Sequence, residues 1–406
     1  MRLLLIALLA ETAFATLNLA SMPHYLRSDR LFSPGMIAII MASFMLAEAV
    51  LKSPLGHLAD RVGCRRLLVI APLLSAGSAV LTILAPRTGT SLDVAVMIGL
   101  RLVDGAAAAM IWPAMFSAMG ETSDQDLQQE SLSLLNSCYF VGIALAFPIS
   151  GFINQLFGAT ARGVIGQYAP SFLLAFVMFV ACAVVAATST LPQKVAHHED
   201  PSHEPGNLLD AFRRIPQFMI MGAVVFVALG LPMTIIQFFA KDQLKLSQAG
   251  FGALVLPGAI AMALLSAPIS KLGKRLGTAT SVHLGLAICL SGMIVIALGQ
   301  FIPALRTLLA FGIAGLPLGL GFLLAIPAWY TSVSEVDPAR RGSNIGAVMA
   351  AQGLGAIVGG IIGGKIYGLG SAYGPFILCA IALAVSLALS YRLIPPPPKA
   401  QPEIES

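Results

Sequence analysis

A short charged segment between two long apolar runs constrains this chain most. Residues 56–66 include three arginines and one aspartate, and apolar runs at 34–51 and 67–84 flank them. About 20 apolar residues in an α-helix span the hydrocarbon core of a bilayer. We therefore predict a tight loop at 56–66, which lies at a membrane surface and joins two transmembrane helices.

The composition extends this prediction to the whole chain. Of its 406 residues, 57% are hydrophobic and 11% are charged, whereas about 25% are charged in a soluble domain. The apolar runs are also too long for the ~10-residue strands of a membrane β-barrel. We predict an all-α polytopic membrane protein with twelve transmembrane helices. The predicted spans are 3–22, 34–54, 67–85, 92–115, 132–157, 170–190, 217–240, 250–269, 280–300, 306–330, 344–367 and 373–394.

An internal repeat divides these helices into two sets of six. The segment 54–63 aligns with 268–277 at an offset of 214 residues (268 − 54), and the same offset relates Gly105 to Gly319 and Pro113 to Pro327. Repeats of this kind build transporters from two related halves. We predict an N-terminal half at 1–190, a cytoplasmic linker at 191–216, a C-terminal half at 217–394 and a cytoplasmic tail at 395–406.

The charge distribution predicts the orientation of the chain and gives no sign of nucleic-acid binding. Lys and Arg residues outside the predicted spans concentrate on the side of both termini, which marks that side as cytoplasmic. We expect an integral protein of a bacterial inner membrane, working as a monomer. The five cysteines form no CxxC pair, and His197, His198 and His203 fit no ligand spacing, so we predict neither a metal site nor a cofactor.

The charged segment also resembles a known motif. Gly56, Leu58, Ala59, Asp60, Arg61, Gly63, Arg65 and Arg66 match the pattern G-x-L-a-D-r-x-G-r-r, while Cys64 stands where a basic residue is usual. This pattern resembles the loop between helices 2 and 3 of the major facilitator superfamily, here of the twelve-helix drug:proton antiporter type. The resemblance implies a cavity between two halves that rock, with the loop latching the cytoplasmic side.

Few ionisable residues fall within the predicted spans, and each needs a reason because hydrocarbon disfavours charge. Arg101 and Asp104 lie three residues apart, on one face of helix 4. With Gly105 they resemble the superfamily pattern R-x-x-x-G, which implies that Arg101 influences proton movement. A structural Arg–Asp pair that neutralises itself remains an equal alternative.

Helix 1 supplies the second group of candidates. Glu11 and Asn18 lie seven residues apart, two turns along one helical face. We predict that Glu11 binds a proton or a cationic substrate, with Asn18 and Gln237 of helix 7 as further polar contacts. The alternative is that Glu11 pairs with Arg101.

Helices 2 and 5 carry further predicted positions. Glu48 and Lys52 are four residues apart in the favourable order for an intrahelical ion pair, which we assign to gating. In helix 5, Gly142, Pro148 and Gly151 partly resemble the exporter motif that ends in G-P-x-x-G, although Phe147 replaces a glycine of that motif. A plain proline kink explains Pro148 equally well.

Together these patterns predict a secondary transporter and no enzyme. We expect efflux of a small amphiphilic or cationic compound, driven by the proton gradient, because the cavity helices offer few polar groups for a sugar. Proton-linked uptake of a small metabolite is the alternative. Lipid translocation, or a receptor that does not transport, would also suit this fold.

Overall fold

The computed structural model describes residues 2–122, 128–189, 212–336 and 341–394, and in these residues it contains helices and no strand. The predicted all-α membrane fold is confirmed. The membrane-length helical segments are α1 Arg2–Asp29, α2 Pro34–Val62, α3 Cys64–Leu84, α4 Ser91–Thr122, α5 Gln128–Ala161, α6 Ala169–Ala187, α7 Pro216–Asp242, α8 Gln248–Leu276, α9 Thr278–Leu298, α10 Leu308–Val336, α11 Arg341–Gly368 and α12 Gly374–Leu393.

Eleven of these segments contain stretches that are long and apolar enough to cross a membrane, and α8 contributes the shorter apolar stretch Gln248–Met262. Most of the predicted linker, its three histidines and the predicted tail lie outside the described residues. The predicted domain boundaries therefore stay predictions.

Helix α1 continues past its predicted end at residue 22 by changing its winding. It is π-helical over Ala15–Ser21 and again over Tyr25–Asp29. Pro23 lies between the two stretches and has no backbone N–H, and its ring crowds the carbonyl four residues earlier. A wider helical turn relieves that crowding, so the chain passes through Pro23 without ending the helix.

The prediction of a tight loop over 56–66 is wrong. Helix α2 runs on to Val62, and α3 begins at Cys64, so Gly63 alone forms the break. Gly63 has φ 90°, a conformation that favours glycine. Gly56 does not end the helix, because a single glycine costs a helix only about 1 kcal/mol.

The predicted repeat appears in the backbone itself. Gly277 joins α8 to α9 with φ 80°, and it lies 214 residues after Gly63 (277 − 63). Helix pairings correspond in the same way: α1 packs on α5 and α6 as α7 packs on α11 and α12, and α4 packs on α2 and α3 as α10 packs on α8 and α9. The two halves therefore share one packing scheme.

The halves meet at two contacts, α2 against α11 and α5 against α8. The repeat relates these contacts to each other, because α2 corresponds to α8 and α5 corresponds to α11. Small residues make this contact close. A β-carbon added at Gly151 would lie 2.5 Å from the Cα of Ala249, and one added at Gly252 would lie 2.6 Å from the nitrogen of Pro148. At these two glycines the backbones of α5 and α8 therefore touch, with no side chain between them.

Within the second half, the glycines of α11 pack directly on α7, as their spacing predicts. Positions 355, 359 and 363 face the backbone carbonyls of Ala223, Val227 and Leu231, where no side chain would fit. We call the end of the bundle that carries Arg2, Gly63 and Gly277 the termini face, and the end that carries Asp29 and Asp242 the opposite face.

Candidate functional site

A buried charge cluster links α1, α3 and α4 inside the first half. Arg101 and Asp104 are both fully buried and form an ion pair of 3.0 Å. Asn18 bridges them: its Oδ1 accepts from Arg101 Nη1 at 2.6 Å, and its Nδ2 donates to Asp104 Oδ2 at 2.8 Å. We call Asn18, Ser78, Thr82, Arg101 and Asp104 the Arg101 cluster.

Helix α3 completes this cluster from the other side. Ser78 and Thr82 lie four residues apart on one helical face and accept from Arg101 Nη2 at 3.1 and 3.2 Å. Arg101 Nε and Asp104 Oδ1 are both buried and lack a hydrogen-bond partner among the described residues. The predicted Arg–Asp pair is therefore present, and only one of the two Asp104 oxygens is used in it.

A second cluster surrounds Glu11, which is only 6% exposed. Trp112 of α4 hydrogen-bonds the Glu11 carboxylate, and indole nitrogen is a donor, so the carboxylate accepts. From α2, the charges of Glu48 and Lys52 act on Glu11. Tyr139 of α5 packs on Trp112 with ring centroids 5.0 Å apart. We call Glu11, Glu48, Lys52, Trp112 and Tyr139 the Glu11 cluster.

Gly142 explains how α5 comes so close to Glu11. A β-carbon at Gly142 would lie 2.8 Å from Glu11 Cβ and 3.0 Å from the Thr12 nitrogen. Any larger residue would push α5 away from α1. The predicted helix-5 motif thus lies against the Glu11 cluster with Gly142, and against the second half with Pro148 and Gly151.

The alternative that Glu11 pairs with Arg101 is not what the structure shows. The side-chain partners of Arg101 are Asn18, Ser78, Thr82 and Asp104. Glu11 precedes Asn18 by two turns and meets Trp112, which follows Arg101 by three turns of α4. The two acids therefore occupy separate clusters at different depths.

The predicted ion pair on α2 forms as expected. Lys52 Nζ lies 3.0 Å from Glu48 Oε1, and the two side chains are 37% and 27% exposed. The Glu48–Lys52 pair therefore lies partly at the surface of the bundle, at the edge of the Glu11 cluster. At the same end of α2, the side chains of Gly56, Asp60 and Arg61 lie outside the described residues, so their latching role stays a prediction.

Two arginines of the termini face bind the end of α6 instead of the neighbouring loop. Arg65 donates to the carbonyl of Ala187, and Arg2 donates to that of Thr188 at 2.9 Å. The last carbonyls of a helix have no partner within it, so cations stabilise them. Arg66 is exposed, and its role in gating stays a prediction.

Polar contacts between the halves gather where α1 meets α7 and α8. Gln237 Nε2 donates to the carbonyl of Leu19, and Gln248 Nε2 donates to that of Ala20 at 2.6 Å. Nearer the opposite face, Arg27 lies 3.5 Å from Asp242, which also accepts from Tyr367 at 2.7 Å. Gln237 thus contacts the first half and not the two charge clusters.

The second half holds an apolar cavity at the corresponding place. Val225, Leu286, Ile326 and Trp329 are among its lining residues, with Gln352 at its edge. Gln352 is buried and accepts from Tyr330 at 2.8 Å. In the described residues, no group of three or more His, Cys, Asp and Glu side chains could hold a metal.

Sequence patterns alone missed several members of these clusters. Ser78, Thr82, Tyr139 and Gln248 are ordinary polar residues of apolar helices, and only packing between distant helices gives them partners. Trp112 was not among the predicted site residues, yet it is 8% exposed and lies against Glu11. The sequence did place Trp112 eleven residues after Arg101 on the same helix, and this position could have indicated that it faces the interior of the bundle.

Comparisons with known proteins agree on one family. The family model described as Major Facilitator Superfamily matches residues 3–347 and 219–406. Among curated proteins, the magnetosome protein MamH of Paramagnetospirillum magneticum (strain ATCC 700264 / AMB-1) is 27% identical over 142 residues. That match covers 34% of this chain and 33% of the relative, so it spans about a third of each protein.

Solved structures match over nearly the full length at low sequence identity. A point mutant of the nucleoside transporter NupG has a TM-score of 0.77 at 15% identity, covering 97% of this chain and 99% of that chain. A bacterial homologue of the human drug peptide transporters PepT1 and PepT2 has a TM-score of 0.76 at 14% identity, covering 97% of each chain. A bacterial homolog of the human lysosomal transporter Spinster, inward-facing and unoccupied, has a TM-score of 0.74 at 15% identity, covering 97% of this chain and 95% of that chain.

Proposed function

Because the chain belongs to the major facilitator superfamily, a family of secondary transporters that work by alternating access, we propose that it exchanges protons for a small lipophilic cation. The observation that carries this proposal is the Glu11 cluster. It places two carboxylates, one lysine and two aromatic rings together in an apolar bundle. An acid beside aromatic faces is the usual recognition site for an organic cation.

The exchange requires one group that binds either the proton or the cargo. An ionised Glu11 holds the cargo cation by charge, and a proton that binds the carboxylate removes that charge and releases the cargo. The Glu48–Lys52 pair is partly exposed and lies beside Glu11, so protons and water reach the site along α2. Since one proton replaces one positive charge, net charge at the site is unchanged.

We propose efflux as the direction, with both termini in the cytoplasm of a bacterial cell, from the distribution of basic residues and the partial exporter motif around Pro148. The alternative, uptake of a metabolite, takes support from the fold shared with nucleoside and peptide transporters. A thermal-shift screen separates these alternatives, because a bound ligand stabilises the folded state. Lipophilic cations should raise Tm, whereas nucleosides and dipeptides should not.

The decisive variant is Glu11→Gln, tested in proteoliposomes with an imposed pH gradient and a cationic dye as cargo. We expect the dye flux driven by the gradient to fall at least about tenfold, since one lost charge contact corresponds to roughly 1.4 kcal/mol or more. Thr12→Ala is the matched control at the same depth, because the Thr12 hydroxyl bonds the Leu8 carbonyl of its own helix. Unchanged, pH-dependent flux in Glu11→Gln would refute this assignment.

A further inference from the structure

The π-helical stretch of α1 presents backbone carbonyls to the second half. In an α-helix the carbonyl of Leu19 would accept from the N–H of residue 23, but residue 23 is proline and has none. Within the stretch, the N–H of Met22 reaches back to the carbonyl of Leu17, five residues away. Pro23 therefore cannot supply the α-helical donor for the Leu19 carbonyl.

Two glutamines of the second half bond carbonyls of this stretch, and one of them replaces the donor that Pro23 lacks. Gln237 is 6% exposed, and its Nε2 donates to the Leu19 carbonyl. Gln248 Nε2 lies 2.6 Å from the carbonyl of Ala20 and 3.2 Å from Ser21 Oγ. A partly buried carbonyl that loses a donor is destabilised, so these bonds favour contact between the halves.

Gln248 is held in place by the first half on both sides of its amide. Its Oε1 accepts from Asn154 Nδ2 at 2.8 Å, and its Nε2 also lies 3.1 Å from Ser150 Oγ. Asn154 is itself fixed, because its Oδ1 accepts from the backbone N–H of Ser171 at 3.1 Å. The glutamine can therefore bond the Ala20 carbonyl only while α8 lies against α5.

The same stretch reaches the Arg101 cluster from its other side. Asn18 directly precedes Leu19, and both atoms of its amide are used, one by Arg101 and one by Asp104. A shift of this turn that breaks the bond to Gln237 must also move the backbone of Asn18. The contact between the halves at Leu19 and the Arg101–Asp104 ion pair are therefore coupled, because Asn18 and Leu19 are consecutive residues.

We propose that Gln237 and Gln248 are positioning residues which hold the halves together by bonding the neighbouring Leu19 and Ala20 carbonyls of α1, the first of which loses its α-helical donor at Pro23, and that Asn18 conveys this closure to the Arg101–Asp104 pair. The inference rests on the proposed alternation between two states. In the closed state Asn18 bridges the pair. When the seam opens, Asn18 withdraws from Arg101 and Asp104.

Hydrogen exchange tests this device without cargo or a proton gradient. The protein is placed in lipid nanodiscs, and exchange is followed by mass spectrometry in peptides that cover 16–29 and 237–250. We expect Gln237→Met, which keeps the side-chain length but removes the donor, to speed exchange in both peptides about tenfold. Gln352→Met is the matched control, because Gln352 is a buried glutamine of the same half that bonds Tyr330 instead of α1.

The second variant is Pro23→Ala, which restores an N–H that can satisfy the Leu19 carbonyl within α1. This carbonyl then keeps a donor when the seam opens, so opening costs less and exchange again speeds up. Since both changes act on the same bond, adding Gln237→Met to Pro23→Ala should have almost no further effect. Multiplied effects in the double variant would overturn the proposal.

If Gln237→Met fails to fold, Gln248→Met takes its place with the same two peptides. Unchanged exchange over 16–29 in that variant would also refute the proposal. These outcomes are independent of the Glu11→Gln flux experiment. If hydrogen exchange responds as described but the protein transports no cation, this inference stands and the proposed cargo is wrong.

Discussion

The two halves of this transporter share a packing scheme and differ in chemistry. At an offset of 214 residues, Arg101 corresponds to Gly315 (315 − 101), Asp104 to Leu318 (318 − 104) and Ser78 to Gly292 (292 − 78). Glu11 corresponds to Val225 (225 − 11), and Trp112 to Ile326 (326 − 112). Val225 and Ile326 both line the apolar cavity of the second half.

The difference shows which features the fold needs and which features belong to function. Among the described residues, the buried carboxylate and arginine side chains all lie in the first half: Glu11, Arg30, Asp93, Arg101 and Asp104. The second half reaches the same helix pairings without them. These charges are therefore not required for the architecture.

The largest expected effect follows from removing one partner of the buried ion pair. Arg101→Ala leaves Asp104 buried and unpaired and should lower the free energy of unfolding by about 3–5 kcal/mol. Arg101→Met with Asp104→Leu, which imitates the apolar second half, should recover most of that loss. Thermal unfolding in detergent measures both variants. A double variant no more stable than Arg101→Ala would contradict the comparison.

The next effect concerns cargo binding. Glu11→Val introduces the residue found at the corresponding position 225 of the second half. It should weaken binding of a lipophilic cation at least about tenfold, or roughly 1.4 kcal/mol. The fold should persist, because the second half tolerates valine at this place. Val225→Ala, at the corresponding position, should change affinity less than about threefold. Titration calorimetry on purified protein compares the two, and equal losses would show that charge is not the cause.

A smaller effect compares the glycines at 105 and 319. A β-carbon at Gly105 would meet the backbone carbonyl of Phe44, whereas one at Gly319 would meet Met262 Sδ at 2.7 Å, the end of a flexible side chain. Gly105→Ala should therefore destabilise by about 1–3 kcal/mol and Gly319→Ala by less than about 1 kcal/mol. Denaturation midpoints of the two variants provide the measurement, and the reverse order would refute the argument.

The smallest effect belongs to the partly exposed pair on α2. Lys52→Met should change the free energy of unfolding by less than about 1 kcal/mol, since water screens a pair that is about one-third exposed. Because Lys52 also acts on Glu11, its loss should alter the pH dependence of dye flux more than it alters stability. A stability loss above about 2 kcal/mol would mean that the pair has a structural role.

The sequence was sufficient for features that depend on spacing along one helix. Runs of apolar residues predicted the helices, and the separation of Arg101 from Asp104 and of Glu48 from Lys52 predicted two ion pairs that the structure contains. The offset of the repeat aligned Gly63 with Gly277, and the two glycines have similar φ angles in the structure. Each of these follows from local geometry.

Features that depend on which helices touch could not be predicted. Nothing near Ser78 or Thr82 in sequence indicates that they bind an arginine on the next helix. The loop prediction failed because residues 56–62 continue the helix, and a segment rich in charged residues is compatible with helicity. Pro23 looked like a helix end, and only the wider π-helical turn shows how the chain passes it.

The backbone contacts between α5 and α8 have a consequence for the speed of transport. Gly151 and Gly252 bring the two backbones together, but Phe147 packs on Phe251 with ring centroids 5.5 Å apart, and Gln248 bonds Asn154 across the same contact. Rotation of α8 against α5 must break these side-chain contacts, so they raise the barrier between the two states. The rate at which the cavity changes sides is then set by these contacts together with the hydrogen bonds around α1.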